Sequence, residues 1–161
     1  MANLNTLKPN EQVERNPALT PGQYKLSVLG ANAFKSKKDG SDVRVFEFLV
    51  DESVSISSED LAPALPVGAR ASKIFYPDKT QFAAQLTVDC LGAIYPEKLP
   101  DNVDSLFNGN QLMRGMVVKA TVVNAQSKGG KDYMKVTFNK VAGQTIDDIK
   151  KNRARLDKAG M

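Results

Sequence analysis

Three lysines and a tyrosine surround a pair of glycines near the end of the chain. Lys128 and Lys131 flank Gly-Gly, and Tyr133 and Lys135 follow at alternate positions. Lysine ammonium groups contact phosphates without a fixed geometry, and a tyrosine ring can stack on a flat π-system. These residue types therefore suit a ligand that is anionic and flat. The alternative is an ordinary solvated β-hairpin, in which lysines and one tyrosine are common.

A second basic group lies upstream and has a similar layout. Lys35, Lys37, Lys38 and Arg44 stand here against two aspartates. Each group contains Asn-Ala, then Ser-Lys, then Gly, then Asp, and the strand "DVRVFEF" runs in step with "DYMKVTF". The likeness predicts two hairpins of similar construction, and convergence on common turn residues explains it as well as duplication does.

The composition excludes several kinds of chemistry. The 161 residues include no histidine and one cysteine, so the chain cannot build a Cys/His zinc site or a histidine-activated nucleophile. The segment "SKGGKD" precedes a strand pattern rather than a helix, so it is not a nucleotide-binding phosphate loop. A Mg²⁺ site built from carboxylates alone remains possible, but the sequence gathers no lysine and carboxylates at a nuclease-like spacing. We therefore expect a protein that is not an enzyme and that needs neither metal nor cofactor.

Two features of the sequence bear on location. No apolar run approaches the roughly 18 residues that a membrane span requires. The N-terminus "MANLNTLKPNEQ" lacks the apolar core of a signal peptide. We expect a cytoplasmic protein without membrane contact.

The elements that position these residues follow from hydrophobic periodicity. Alternating or β-branched patterns predict five strands, at residues 24–34, 42–50, 70–76, 115–125 and 132–141. Between the third and fourth strands, Phe82, Leu86 and Cys90 give the spacing of a helix, with Asp78 as its cap. The order is typical of the OB-fold, a five-stranded Greek-key barrel. Another small α+β barrel or sandwich is the alternative.

This order also divides the chain. Residues 1–21, with three prolines, are expected to form an extended arm. Residues 22–143 form the OB-fold domain. Residues 144–161 form a basic C-terminal helix or tail.

Strand alternation predicts which side chains face the core. One face of the two similar strands is too apolar for water, so we place it inside; it holds Phe46, Phe48, Met134, Val136 and Phe138. The opposite face then points outward and holds Val43, Val45, Glu47, Tyr133, Lys135 and Thr137. Tyr133 should thus be exposed, with Lys119 and Lys135 beside it.

Strand three is less clear, because either face could be core. We expect Phe75, rather than Tyr76, to stack on a base, since Lys73 is its same-face neighbour. The alternative is that the helix covers both rings. The complete set of expected nucleic-acid contacts is Lys35, Lys37, Lys38, Arg44, Lys73, Phe75, Lys119, Lys128, Lys131, Tyr133 and Lys135.

The chain resembles the single-stranded DNA-binding proteins of tailed bacteriophages, which are small OB-fold proteins with basic hairpins. The similarity runs from about Pro21 to Val141 and rests on "PGQYKLSV", "GMVVKATVV" and "KGGKDYMKVTF". It implies coating of unwound DNA during replication, recombination or repair. Many such proteins end in an acidic tail that recruits partners, whereas the tail here, "DDIKKNRARLDKAGM", is net basic.

Two classes of function remain after this reasoning. The first is sequence-tolerant binding of single-stranded DNA, with RNA left open, alongside replication or recombination proteins. The second is a structural or assembly protein whose OB barrel binds other proteins. The basic tail could add phosphate contacts or pair two subunits into a homo-oligomer.

Overall fold

The computed structural model describes residues 16–56, 63–96, 98–107 and 112–161, and within these ranges the chain is mainly β. It forms a five-stranded antiparallel sheet, two α-helices and a short 3-10 helix. The elements are β1 Gly22–Lys35, β2 Asp42–Val54, β3 Arg70–Phe75, α1 Gln81–Ile94, the 3-10 helix Val103–Phe107, β4 Val117–Gln126, β5 Asp132–Lys140 and α2 Ile146–Lys158. The predicted order of strands and helices is confirmed.

β1 is the central strand of a sheet with the order β3-β2-β1-β4-β5. It pairs with β2 along its whole length, but with β4 only over residues 22–27. Its pairing with β2 shifts register between Lys25 and Leu26 and again between Val28 and Gly30. Such bulges bend a strand and increase its twist, so β1 can curve as it passes from one neighbour to the next.

The inward face of the sheet carries the predicted aromatic core. Phe46 and Phe48 are fully buried, and Val136 and Phe138 pack against the same cluster. The two similar strands therefore place equivalent residues in the core, as predicted. Met134 is an exception, with 44% of its surface exposed. The core does not reach the hairpin end of β5, whose first four residues are all exposed.

The outer face of the sheet is not simply solvated. Val43 and Val45 lie opposite the main core, as predicted, but both are buried. α2 packs on this side, where Asn152 Nδ2 donates to Ser27 Oγ at 2.9 Å and Leu156 is fully buried. The predicted C-terminal helix is therefore present and is docked onto its own sheet.

α1 begins two residues later than the sequence suggested. Thr80 is the N-cap, and its Oγ1 accepts from the Ala83 N–H at 2.9 Å. The carboxylate of the predicted cap, Asp78, instead accepts from the Asp42 N–H at 3.0 Å. This hydrogen bond links the segment before α1 to the start of β2. Among the described residues, no helix is long and apolar enough to cross a membrane.

The described part of the N-terminal arm adds to the edge of β3. The Ser72 N–H donates to the Pro17 carbonyl at 2.9 Å, and Ala18 forms a parallel bridge with Ser72. Leu19 is buried in the main core. Residues 16–20 are thus part of the folded unit, while the rest of the predicted arm, 1–15, lies outside the described residues.

Candidate nucleic-acid interface

The turn between β4 and β5 is tight and open to solvent. The Ser127 N–H donates to the Lys131 carbonyl, and the Gly130 N–H donates to the Ser127 carbonyl, each at 2.9 Å. Gly130 has φ of 80°, a conformation that glycine adopts without strain. No atom lies within 4 Å of a Cβ placed on Gly130. A ligand backbone can therefore approach this turn closely.

The lysines of this hairpin are exposed and uncompensated. Lys128, Lys131 and Lys135 form no ion pair with any residue that the structure describes. The nearby carboxylate of Asp132 accepts instead from Gln126 Nε2 at 3.0 Å. The hairpin is thus a concentrated positive surface, available to an anionic ligand.

Tyr133 stands on the outer face of this hairpin, with 48% of its surface exposed. Lys135 follows on the same face, about 7 Å further along the strand. Lys119, expected beside Tyr133, pairs with Asn139 instead. Asn139 is six residues beyond Tyr133, or about 20 Å along the strand, so Lys119 does not flank the ring.

The first basic hairpin is partly neutralised by its own carboxylates. Lys35 Nζ lies 2.5 Å from Asp42 Oδ1, and this contact raises the pKa of the lysine and lowers that of the aspartate. Asp39 accepts from Lys79 at 2.6 Å and from Ser41, and these hydrogen bonds hold its pKa below the usual range. Lys37 and Lys38 are exposed in the same turn.

The two basic hairpins lie at opposite ends of β1. The turn between β1 and β2 follows the last residue of β1, Lys35. The β4–β5 turn lies beyond its first residue, Gly22, which pairs with Val122 near the end of β4. The similar sequences therefore do not form one cluster of lysines.

Two expected contacts lie on the core side instead. Phe75 is only 6% exposed and meets Phe46 edge to face, with ring centroids 5.6 Å apart. The expected stacking of Phe75 on a base is therefore not supported. The ring of Tyr76, the residue after β3, is exposed instead. Arg44 also points inward, with Cζ 5.4 Å from the centroid of the Phe107 ring. The alternation of β2 and β3 places both residues on the face that contains Phe46.

The structure adds a groove that the sequence did not reveal. It has a volume of about 680 Å³ and lies between α1 and the two edge strands, β3 and β5. Lys73 and Phe75 line it from β3, and Phe82 and Leu86 from α1. Helical spacing placed Phe82 and Leu86 on the apolar stripe of a helix, but periodicity does not show how far along the helix that stripe is covered.

No protein-family model matches the sequence, and no match was found among curated proteins. In the described ranges, no three His, Cys, Asp or Glu side chains are gathered so as to hold a metal ion. The candidate site consists of exposed cations, aromatic rings and a groove lined by apolar side chains.

Proposed function

We propose that this chain is a single-stranded nucleic-acid-binding protein of low sequence preference. It acts by binding alone, without catalysis. The β4–β5 hairpin forms its primary contact surface, with lysines on phosphates and Tyr133 on a base. RNA and DNA share both chemical features, and single-stranded DNA is the ligand we put first.

One observation carries this proposal. The exposed ring of Tyr133 lies on the same hairpin as Lys128, Lys131 and Lys135, none of which has an ion-pair partner among the described residues. Lysines make point-charge contacts with the backbone and read no sequence. Stacking is equally tolerant, because every base has a π-face. This combination favours a non-specific single-strand binder over a duplex reader.

We further propose that the sheet is an OB barrel. The strand order β3-β2-β1-β4-β5, with a helix after β3, is the order that this fold requires. Both edge strands line one groove, so the two ends of the sheet face each other. Helix α1 lines the same groove, between these two edge strands.

The resemblance to phage proteins supplies a setting for this activity. We propose that the protein coats unwound DNA during phage replication, recombination or repair, in the host cytoplasm, alongside other replication proteins. α2 packs onto its own sheet through Asn152 and Leu156. Recruitment of partners by a free acidic tail is therefore not part of this proposal.

A second candidate function is an assembly role, in which the same barrel binds other proteins. The exposed apolar side chains on α1, Phe82 and Leu86, favour it, because contiguous apolar surface often marks a protein interface. An assembly role based on these apolar side chains leaves the lysines of the β4–β5 hairpin without a function.

A gel-shift titration separates the two candidates. The full chain is titrated onto a labelled oligo-dT of about 30 nucleotides, onto a mixed-sequence oligonucleotide and onto the matching duplex. We expect similar affinity for the two single strands and much weaker binding to the duplex. Absence of any single-strand binding at low salt would overturn the proposal and leave the assembly role.

A further inference from the structure

The groove between α1, β3 and β5 has exposed apolar side chains on both walls. Phe82 of α1 is 72% exposed and Leu86 is also exposed, although they begin the apolar stripe of the helix. Met134 faces them from β5 and is likewise exposed. The second half of the same stripe is buried. A helix that packs on a sheet normally buries its whole apolar stripe, so this end of α1 is left without cover.

A cation lines the same groove. Lys73 Nζ lies 5.2 Å from the centroid of the Phe75 ring, and Lys73 is partly buried. No carboxylate among the described residues forms an ion pair with it. Asp89, the acidic side chain of the lining, is engaged by Gln85 Nε2 at 2.8 Å. Burial of the side chain lowers the pKa of Lys73 below its ordinary value.

The groove is continuous with the basic hairpin. Ser127 of the turn, Tyr133 and Lys135 all line it. Tyr133 and Lys135 belong to the outer face of β5, whereas Met134 belongs to the opposite face. A ligand can therefore pass over the edge of β5, from the hairpin into the groove, without leaving the protein surface.

We propose that the groove binds a short run of nucleotides of the single strand that the hairpin holds, with bases against Phe82 and Leu86 and a phosphate facing Lys73. This inference rests on the proposed function and extends its site to α1. A cation without an ion-pair partner that lines the same groove as the exposed ring of Phe82 is complementary to a nucleotide, which carries an anion and a flat base. The volume of about 680 Å³ is in the range of sites that enclose small ligands.

The continuity with the lysine hairpin favours a nucleic acid over a peptide. A peptide that docked on Phe82 and Leu86 would have no need of Lys128 and Lys131 at the neighbouring turn. A nucleic-acid strand uses both surfaces, because each phosphate along it requires a cation. A nucleotide bound between the two walls of the groove would cover the exposed apolar residues at the start of α1.

Affinity measurements test the groove directly. Binding of oligo-dT is measured by fluorescence anisotropy for wild type, Phe82→Ala and Lys73→Met. We expect Phe82→Ala to weaken binding about 5- to 100-fold, as loss of a stacking ring does. Lys73→Met should make the slope of log affinity against log salt concentration less steep by about 0.7. Ile146→Ala, which truncates another exposed apolar residue, on α2, is the control and should bind as wild type does.

A thiol-protection experiment tests the groove with a readout other than an affinity. Cys90 is fully buried, so Phe82→Cys supplies a single accessible thiol. Saturating oligo-dT should slow its modification by a thiol reagent at least about 10-fold, whereas the thiol of Ile146→Cys should react at an unchanged rate.

The outcomes separate this inference from the function on which it rests. If wild type binds no oligonucleotide, the proposed function fails and the inference fails with it. If wild type binds, but Phe82→Ala and Lys73→Met bind equally well and the thiol is unprotected, only the groove inference fails. Protection by an apolar acidic peptide but not by oligo-dT would also overturn it, since the groove would then be a protein-docking site.

Discussion

The rings of Phe48 and Phe138 lie 5.9 Å apart between centroids, although β2 and β5 are separated in the sheet by β1 and β4. Three strand spacings in a flat sheet would set these strands about 14 Å apart. The contact therefore indicates a curved sheet whose inward face packs around a common core. It also fixes the base of the lysine hairpin, because Phe138 anchors β5 to the interior.

The first prediction concerns this anchor. Phe48 is fully buried and Phe138 only partly, so Phe48→Ala should cost about 3–5 kcal/mol of unfolding free energy. Phe138→Ala should cost less, because its site remains partly open to water. Urea denaturation measures both values. An unchanged midpoint for Phe138→Ala would contradict the packing of β5 on the core.

The second prediction concerns stacking at the hairpin. Tyr133→Ala removes an exposed ring and should weaken oligo-dT binding by about 1–3 kcal/mol, with little change in the salt slope. Tyr133→Phe retains the ring and should bind nearly as wild type does. Anisotropy titrations check both variants. A larger loss for Tyr76→Ala than for Tyr133→Ala would place the stacking contact at the other end of the sheet.

The third prediction concerns phosphate contacts. Replacement of Lys128 and Lys131 by alanine should make the slope of log affinity against log salt concentration less steep by about 1.4. The expected wild-type slope is about −3. Replacement of the exposed Lys150 and Lys151 of α2 removes the same charge away from the hairpin and is the control. The measurement is affinity at several salt concentrations. Equal slopes for the two double variants would mean that net charge alone attracts the nucleic acid.

The fourth prediction concerns the start of α2. The Thr145 N–H donates to Asp148 Oδ2 at 3.1 Å, and this bond lowers the pKa of Asp148. A lowered folded-state pKa stabilises the fold above the unfolded value of 3.8, and this stability is lost as the pH falls through the folded value. Thr145→Ala should cost about 1 kcal/mol near neutral pH.

Melting curves of Asp148→Asn give the matching pH test. The variant should melt below wild type at about pH 6, and the difference should shrink as the pH falls through the lowered pKa of Asp148. A difference in melting temperature that persists unchanged in acid would show that the charge of Asp148 does not act through the cap.

The fifth prediction concerns Lys73. Burial lowers its folded-state pKa below 10.5, so the charged side chain opposes folding at neutral pH. Between the lowered folded-state pKa and 10.5, the unfolded chain keeps the proton on Lys73 while the folded protein has released it. The free energy of unfolding of wild type should therefore rise with pH over this range. Lys73→Met should therefore be more stable than wild type at pH 7, and its advantage should shrink as the pH rises.

Chemical denaturation at a series of pH values checks this sign. The comparison with Lys73→Met isolates the residue from other lysines that titrate in the same range. A variant that is less stable than wild type at neutral pH would show that the stem of Lys73 packs better than methionine does.

The sequence predicted the elements because its signals are local. Alternation in β5 and the turn residues between β4 and β5 define a hairpin without reference to the rest of the chain. The equivalence of Phe48 and Phe138 also followed from alternation alone, and both face the core. The closure of the sheet into a barrel was predicted from element order and stays a prediction.

The failures all depend on contacts between distant segments. Alternation correctly separated Val43 and Val45 from the core face, but could not show that the outer face is covered as well. Phe75 was expected to stack on a base because Lys73 is its same-face neighbour, and nothing local shows that this face of β3 packs against Phe46. The groove is a property of α1, β3 and β5 together, so no single segment encodes it.

The pairing of the arm with Ser72 has a consequence for self-association. An uncovered edge strand is a template on which further chains can add, and β3 is one edge of this sheet. Ala18 and Pro17 occupy that edge, so the chain blocks its own polymerisation there. The remaining edge, β5, carries Lys135 and Lys140, whose charges repel an identical strand. If the protein coats a nucleic-acid strand as proposed, many copies can lie side by side without fusing into a continuous sheet.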